Sequence, residues 1–270
     1  VSLNLIDRGG GPTILALHGF TGTARTWEPQ LDGWASGHRV LAPDLLGHGG
    51  SAAPPDPAAY ALERQADGLA ELLDLLEASP ACVVGYSMGA RLALVLALRH
   101  QGLVDRLVLE SPSAGIQDPV ERQRRRAADE ALADDIERDG TAAFIDRWEA
   151  LPLFASHAGL PAPSRQALRR ERLRHQPGGL ASSLRGAGQG AMTPLQERLA
   201  ELTVPTLVVA GALDEVGSAR AASVAAVVPG ARFVPIEDAG HTPHLEQPAA
   251  FTAATDDFIA TRPAGPIHAR

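Results

Sequence analysis

The segment Ala81-Cys82-Val83-Val84-Gly85-Tyr86-Ser87-Met88-Gly89-Ala90-Arg91 sets a serine between two glycines, after a short apolar run and before a stretch rich in alanine and leucine. Gly-x-Ser-x-Gly between a strand and a helix requires a turn too sharp for bulky neighbours. It pushes the serine Oγ out at the head of the helix, where backbone N–H groups can face an anion. Ser87 is therefore the candidate reactive hydroxyl. At neutral pH a serine hydroxyl is a weak nucleophile or base, so it needs a histidine to take its proton and a carboxylate to orient that histidine.

Of the nine histidines, His241 in Glu237-Asp238-Ala239-Gly240-His241 follows the last apolar run. Asp214 in Ala210-Gly211-Ala212-Leu213-Asp214 follows the one before. The order Ser, Asp, His and the placement at strand ends favour Asp214 as the orienting acid. Asp238, three residues before His241, and Glu110, at the end of another run, are rivals. His244 reads as a packing or capping residue at the start of the final helix.

Ile14-Leu15-Ala16-Leu17-His18-Gly19-Phe20 supplies a loop after a buried strand. There the Phe20 N–H is expected to face an oxyanion, with the Met88 N–H as second donor. His18 reads as a residue that orients this loop rather than as a base.

These groups need a rigid frame. Ile14–Leu17, Val40–Pro43, Ala81–Val84, Leu107–Glu110, Thr206–Ala210 and Arg232–Ile236 are short apolar runs bounded by Gly, Pro or Asp, and predict buried strands. Helical spacing marks Leu62–Ala78, Gly89–Arg99 and Ala219–Val228 between them. Such alternation implies parallel βαβ units with helices on both faces of a sheet. It breaks from Pro112 to about Leu202, where Val120–Asp139, Ala142–Ala150 and Ser164–His175 predict helices divided by Pro and Gly. That insertion is expected to cap the carboxyl edge of the sheet, where ligands bind in open α/β folds. The expected units are thus a core of residues 1–111 and 203–270 and a helical cap of residues 112–202. The tail from Thr261 is expected to fray.

Composition mostly excludes. With 270 residues, 45% apolar and 21% charged, the chain is that of a globular enzyme. All 24 of its basic Lys+Arg residues are arginine, which rules out Schiff-base catalysis and a P-loop lysine. A formal charge of -8 argues against a general nucleic-acid or anionic-membrane binder. The acidity is uneven: residues 112–200 hold 13 Arg against 12 Asp+Glu, and the rest 11 against 20. Cys82 is the only cysteine, so no internal disulfide or cysteine metal site can form, as suits a reducing compartment. With no run of 18 apolar residues and no signal-peptide profile in 1–11, a cytoplasmic protein is expected.

The strand-His18-Gly19-Phe20 loop, the turn Asp44-Leu45-Leu46-Gly47-His48-Gly49-Gly50-Ser51, the Gly-x-Ser-x-Gly elbow, Asp214 and His241 come in order, so the chain resembles the α/β-hydrolase superfamily over nearly its whole length. That resemblance implies an α/β-hydrolase fold, a mostly parallel sheet with helices on both faces and a helical cap inserted after the sixth strand. Four further features narrow it: Arg91 one turn beyond the serine, Glu110-Ser111-Pro112-Ser113-Ala114-Gly115-Ile116, the run from Glu121 to Arg126, and Leu173-Arg174-His175-Gln176-Pro177-Gly178-Gly179 continuing to Gly186. Together these resemble the 2-succinyl-6-hydroxy-2,4-cyclohexadiene-1-carboxylate synthase family of menaquinone biosynthesis, carbon–oxygen lyases that eliminate pyruvate from an enolpyruvyl precursor.

The family's substrate carries three carboxylates, and arginine holds a carboxylate in bidentate geometry while staying charged. The resemblance implies that Arg91, Arg125 and Arg174 bind them, with Tyr86 and Trp148 lining the pocket. Choosing Arg125 over Arg124 or Arg122 rests on family spacing; most of that cluster reads as a solvated helix face paired with Glu121, Asp129 and Glu130. The implied reaction needs no metal and no organic cofactor. Its partner is a small tricarboxylate, with no nucleic acid, no stable membrane association, and a monomer or weak homo-oligomer. Two departures stand out: Ala90 where a glycine is usual, and a lean Val216-Gly217-Ser218, expected to be a loosely packed loop. An ester or C–C bond hydrolase with the same triad, and a noncatalytic ligand-binding protein, are the competing readings.

Overall fold

Successive strand residues point to opposite faces of a sheet, and here both sets are apolar. Leu15, Leu17, Val83, Leu107, Leu109, Val208 and Ala210 feed one buried cluster. Ile14, Ala16, Cys82, Val84, Val108, Leu207 and Val209 feed another on the opposite face. A sheet buried on both sides reads as continuous apolar runs rather than as alternation, which is why these strands were legible.

The computed structural model describes residues 2–260; the expected fraying from Thr261 lies outside the described residues. In chain order the elements are β1 (Leu5–Gly9), β2 (Thr13–Leu17), α1 (Glu28–Ala35), β3 (Arg39–Pro43), α2 (Leu62–Leu75), β4 (Ala81–Tyr86), α3 (Met88–Arg99) and β5 (Val104–Glu110). They continue with α4 (Pro119–Glu149), α5 (Ala162–Arg172), α6 (Pro177–Ala187), β6 (Thr206–Gly211), α7 (Glu215–Val227), β7 (Arg232–Ile236), α8 (Pro243–Glu246) and α9 (Pro248–Ala260). The seven strands are ordered β1-β3-β2-β4-β5-β6-β7, antiparallel only between β1 and β3. Helices α2, α3 and α7 cover one face; α1 and α9 cover the other. Among the described residues no helix is long and apolar enough to cross a membrane.

Three local expectations are corrected. The helical insertion follows the fifth strand of this chain, not the sixth, because a single edge strand, β1, precedes β2. That strand, Leu-Ile-Asp-Arg-Gly, is half polar and was not legible: it is an exposed edge, held by backbone pairing to β3 and by Arg39 on Asp7 at 2.7 Å. Val216-Gly217-Ser218 is not a loose loop. Asp214 accepts the Gly217 N–H at 2.9 Å and caps α7, so the helix starts at Glu215, four residues earlier than expected.

The insertion between β5 and β6 has its own small core of Ile136, Phe144, Ile145, Leu180 and Leu184. The expected division at Gly140 is present: φ 81° and ψ 168° break α4 there. Its two ends meet at a neck, where Leu195 N–H donates to Ala114 O at 2.7 Å and Gln196 Nε2 donates to Gly115 O at 2.9 Å. A second tie is His175, whose Nε2–H donates to Thr21 O at 2.9 Å while Nδ1 accepts the Gly49 N–H at 3.0 Å. The His175 ring packs on His48, and His48 on His18, with centroids 5.3 and 5.1 Å apart.

Candidate active site

Strand β4 delivers the chain straight into α3, leaving Ser87 alone to make the turn. Its φ of 51° is left-handed, a strained state for a non-glycine residue that the surrounding structure must enforce. The enforcement comes from close packing. A Cβ on Gly85 would sit 2.5 Å from the Gly89 carbonyl oxygen, and one on Gly89 would overlap the Leu17 carbonyl. Only glycine fits on either side of Ser87. The Ser87 N–H donates to Glu110 O at 2.9 Å, pinning the elbow to the end of β5.

Ser87 Oγ lies 3.1 Å from His241 Nε2, and His241 Nδ1 lies 2.7 Å from Asp214 Oδ2. With Nδ1–H donating to the carboxylate, Nε2 is left as acceptor for the serine hydroxyl. Burial pushes the Asp214 carboxyl up, but the hydrogen bonds from His241 and the Gly217 N–H, helped by the charge of Arg220, outweigh it and hold the carboxyl below its ordinary value. Asp214 is thus ionised and aimed at the base. The rival acids are occupied elsewhere. Glu110, fully buried, accepts the backbone N–H of His244 at 3.0 Å and pairs with its Nδ1 at 2.8 Å, so His244 is a packing residue bound to β5. Asp238 is exposed.

Two supports of the base had no signal in the sequence. Glu246 accepts the N–H groups of Gly240 and Thr242 at 2.7 and 2.9 Å, one on each side of His241. Ser111 Oγ donates to the His241 carbonyl at 3.0 Å. Short polar residues such as these reveal their partners only in three dimensions.

The triad opens into a cavity of about 230 Å³ between sheet edge and insertion. Phe20, Tyr86, Met88 and Trp148 all line it. The Met88 N–H is at the first turn of α3, where backbone donors have no partner within the helix. His18 orients the Phe20 loop, as expected: its Nε2 accepts the Leu45 N–H at 2.8 Å and its Nδ1 lies 2.8 Å from Gly19 O. The buried indole N–H of Trp148 has no hydrogen-bond partner among the described residues.

The arginines divide. Arg91 reaches the cavity from α3, 6% exposed, donating to Ala187 O at 2.7 Å. Burial and the like charge of Arg125 lower its guanidinium to about 10, against a small opposing pull from Asp129, so it is still charged at neutral pH. Of the 122–126 cluster only Arg125 lines the cavity, its Nε on Asp129 at 2.7 Å. Arg122 turns back to the Ile116 and Gln117 carbonyls and Arg124 to Glu121. Arg174 does not line it: the side chain is 68% exposed and pairs with Glu171. The family resemblance put Arg174 in the pocket, but α5 ends at Arg172, and it is Arg172 that is buried, over the Phe154 ring and onto Glu149. A third arginine, Arg220 on α7, lines the cavity without a motif to mark it in the sequence. Among the described residues no group of three or more His, Cys, Asp or Glu is placed to hold a metal.

The sequence pattern of the alpha/beta hydrolase fold matches residues 12–248. A Bacillus subtilis (strain 168) protein provisionally named 2-succinyl-6-hydroxy-2,4-cyclohexadiene-1-carboxylate synthase is 39% identical over 92% of this chain and 90% of its own. The Salmonella schwarzengrund (strain CVM19633) protein of that name is 33% identical over 89% of this chain and 90% of its own. The solved structure of MenH from S. aureus superposes with a TM-score of 0.90 at 31% identity, covering 95% of this chain and 97% of that one.

Proposed function

This chain belongs to the 2-succinyl-6-hydroxy-2,4-cyclohexadiene-1-carboxylate synthase family of the α/β-hydrolase superfamily, and from that premise we propose how its residues eliminate pyruvate. It is a lyase on a hydrolase scaffold, of the menaquinone pathway. The supporting observation is one constellation: Ser87, His241 and Asp214 in hydrogen-bond sequence on the floor of a cavity that also presents the guanidiniums of Arg91 and Arg125.

The substrate is 2-succinyl-5-enolpyruvyl-6-hydroxy-3-cyclohexene-1-carboxylate. His241, oriented by Asp214, takes the Ser87 proton, and the alkoxide removes the ring hydrogen at C2, α to the succinyl ketone. Charge moves onto the ketone oxygen, where the N–H groups of Phe20 and Met88 receive it. As the ketone re-forms, the electron pair makes C2=C3, the C3=C4 pair moves to C4=C5, and the C5–O bond breaks. The enolpyruvyl group leaves with the C5–O electrons as the enolate of pyruvate; the proton that His241 took from Ser87 neutralises it, and tautomerisation places that hydrogen on the methylene carbon to give pyruvate, while Ser87 keeps the hydrogen from C2. No acyl-enzyme forms and no bond is oxidised. Arg91 and Arg125 neutralise substrate carboxylates, and Tyr86 and Trp148 flank the ring. No metal or organic cofactor takes part.

Residues 112–202 serve as the cap over this site and residues 1–111 with 203–270 as the core. The protein works in the cytoplasm on a small tricarboxylate, as a monomer or weak homo-oligomer, without nucleic acid or membrane. The deciding experiment offers the purified protein the enolpyruvyl substrate and follows pyruvate. Pyruvate release with poor turnover of neutral nitrophenyl esters is expected; brisk ester hydrolysis with no pyruvate would make it a hydrolase.

A further inference from the structure

We propose that Arg220 is a substrate-binding residue, its guanidinium holding a carboxylate of the anionic substrate at the mouth of the cavity. The inference deepens the reading above and rests on it.

Helix α7 opens on Asp214 as its N-cap, and steps of three residues lead to Gly217 and Arg220. Positions three apart lie on neighbouring parts of one helix side, and Val216, Gly217 and Arg220 all line the cavity that holds Ser87 and His241. The helix that supplies the triad acid therefore also supplies a cation to the same space.

Among the described residues that cation has no carboxylate partner of its own. Arg125 is bound to Asp129, Arg172 to Glu149 and Arg174 to Glu171. Among the described residues Arg220 makes neither an ion pair nor a side-chain hydrogen bond; its one close charge is Asp214, which feels its field. Asp214 cannot serve as the missing partner, because one of its oxygens faces His241 Nδ1 and the other accepts the Gly217 N–H. Arg220, whose guanidinium carries five N–H donors, thus lines a cavity whose one carboxylate, Asp214, is already committed. Arg91 is buried deep, Arg125 is held through its Nε by Asp129, and Arg220 is exposed. An incoming polyanion meets Arg220 first, on a protein whose formal charge of -8 otherwise repels it.

Two measurements test the assignment. In steady-state pyruvate release, Arg220→Gln should raise KM and lower kcat/KM about 10- to 100-fold with kcat little changed, Arg220→Lys should recover part of the loss, and Arg220→Glu should lose more. Thermal melting should not change. A KM within about twofold of wild type in Arg220→Gln, or a loss carried by kcat alone, overturns the proposal. The second measurement is independent of the reaction: calorimetric binding of propane-1,2,3-tricarboxylate to the wild type and to Arg220→Gln. About tenfold weaker binding to the variant is expected. Equal affinity, or no binding to either, overturns the proposal, whereas a wild type that binds the probe but releases no pyruvate faults the reaction and not Arg220.

Discussion

Glu246 brackets His241 without touching it: its two carboxylate oxygens accept the backbone N–H groups of Gly240 and Thr242, the residues on either side of the base. The loop after β7 is anchored on both flanks, and the imidazole between them has one place to be. Burial pushes the Glu246 carboxyl up, but the hydrogen bonds from Thr242, from the Gly240 N–H and from Ser156 prevail and keep it ionised.

Glu246→Gln leaves the shape of this bracket and removes its charge, and one of the two N–H groups then faces an amide NH₂. A fall in kcat of about tenfold is expected with KM little changed, because the substrate never meets Glu246. Stability should drop by about 1–3 kcal/mol, the cost of a buried donor without an acceptor. Steady-state kinetics with urea denaturation checks both; unchanged kcat would mean that the loop holds His241 without Glu246.

Ser87→Ala removes the alkoxide and fills its space with a methyl group. Pyruvate release should fall by at least about 10³-fold while substrate still binds, since the arginines remain. Retained turnover, followed by the same assay, would require another base.

The arginines should separate by position. Arg91→Ala and Arg125→Ala are each expected to cost about 2–5 kcal/mol in kcat/KM, by stranding a substrate carboxylate. Arg174→Ala should stay within about 0.5 kcal/mol, because an exposed pair with Glu171 contributes little. Equal losses in all three variants would show that Arg174 swings inward when substrate binds.

Acid should loosen the contact between His175 and the core. Burial lowers the pKa of His18, His48 and His175, to about 4 for His18 against an ordinary 6.5. As pH falls below 6.5 the unfolded chain takes up protons that the buried rings refuse, so stability is full above that value and is lost on acidification toward 4. His18 alone accounts for up to about 3 kcal/mol. Chemical denaturation between about pH 7.5 and 5 should show the decline, smaller in His175→Asn; a flat profile would mean the rings are protonated at no cost.

The elbow, the hydrogen-bonded placement of Asp214 and His241 and the buried strands are legible because each obeys a local rule: Gly85 and Gly89 flanking the Ser87 turn, Asp214 and His241 after apolar runs, continuous apolar stretches for a sheet covered twice. Among the arginines, what escapes depends on where a helix begins or ends. The family resemblance implies that Arg174 faces inward, yet α5 stops two residues short of it and the chain turns it to water. Arg220 was passed over because α7 was expected to begin at Ala219, and only a helix beginning at Glu215 brings that side chain round to the cavity. Glu110 ends a strand as a triad acid should; chain order set it behind Asp214, and its contact with His244 shows where its carboxylate goes instead.

The neck at Ala114 and Leu195 closes the insertion on itself before the chain re-enters the sheet. The strands on either side, β5 and β6, are neighbours in parallel register whatever lies between. Some eighty residues therefore form an exchangeable cassette: its loop ends are already joined, so a shorter or different insert costs the core little chain entropy. Changes there alter the lining that Arg125 and Trp148 give the cavity and leave the hydrogen-bonded Ser87, His241 and Asp214 on the sheet in place.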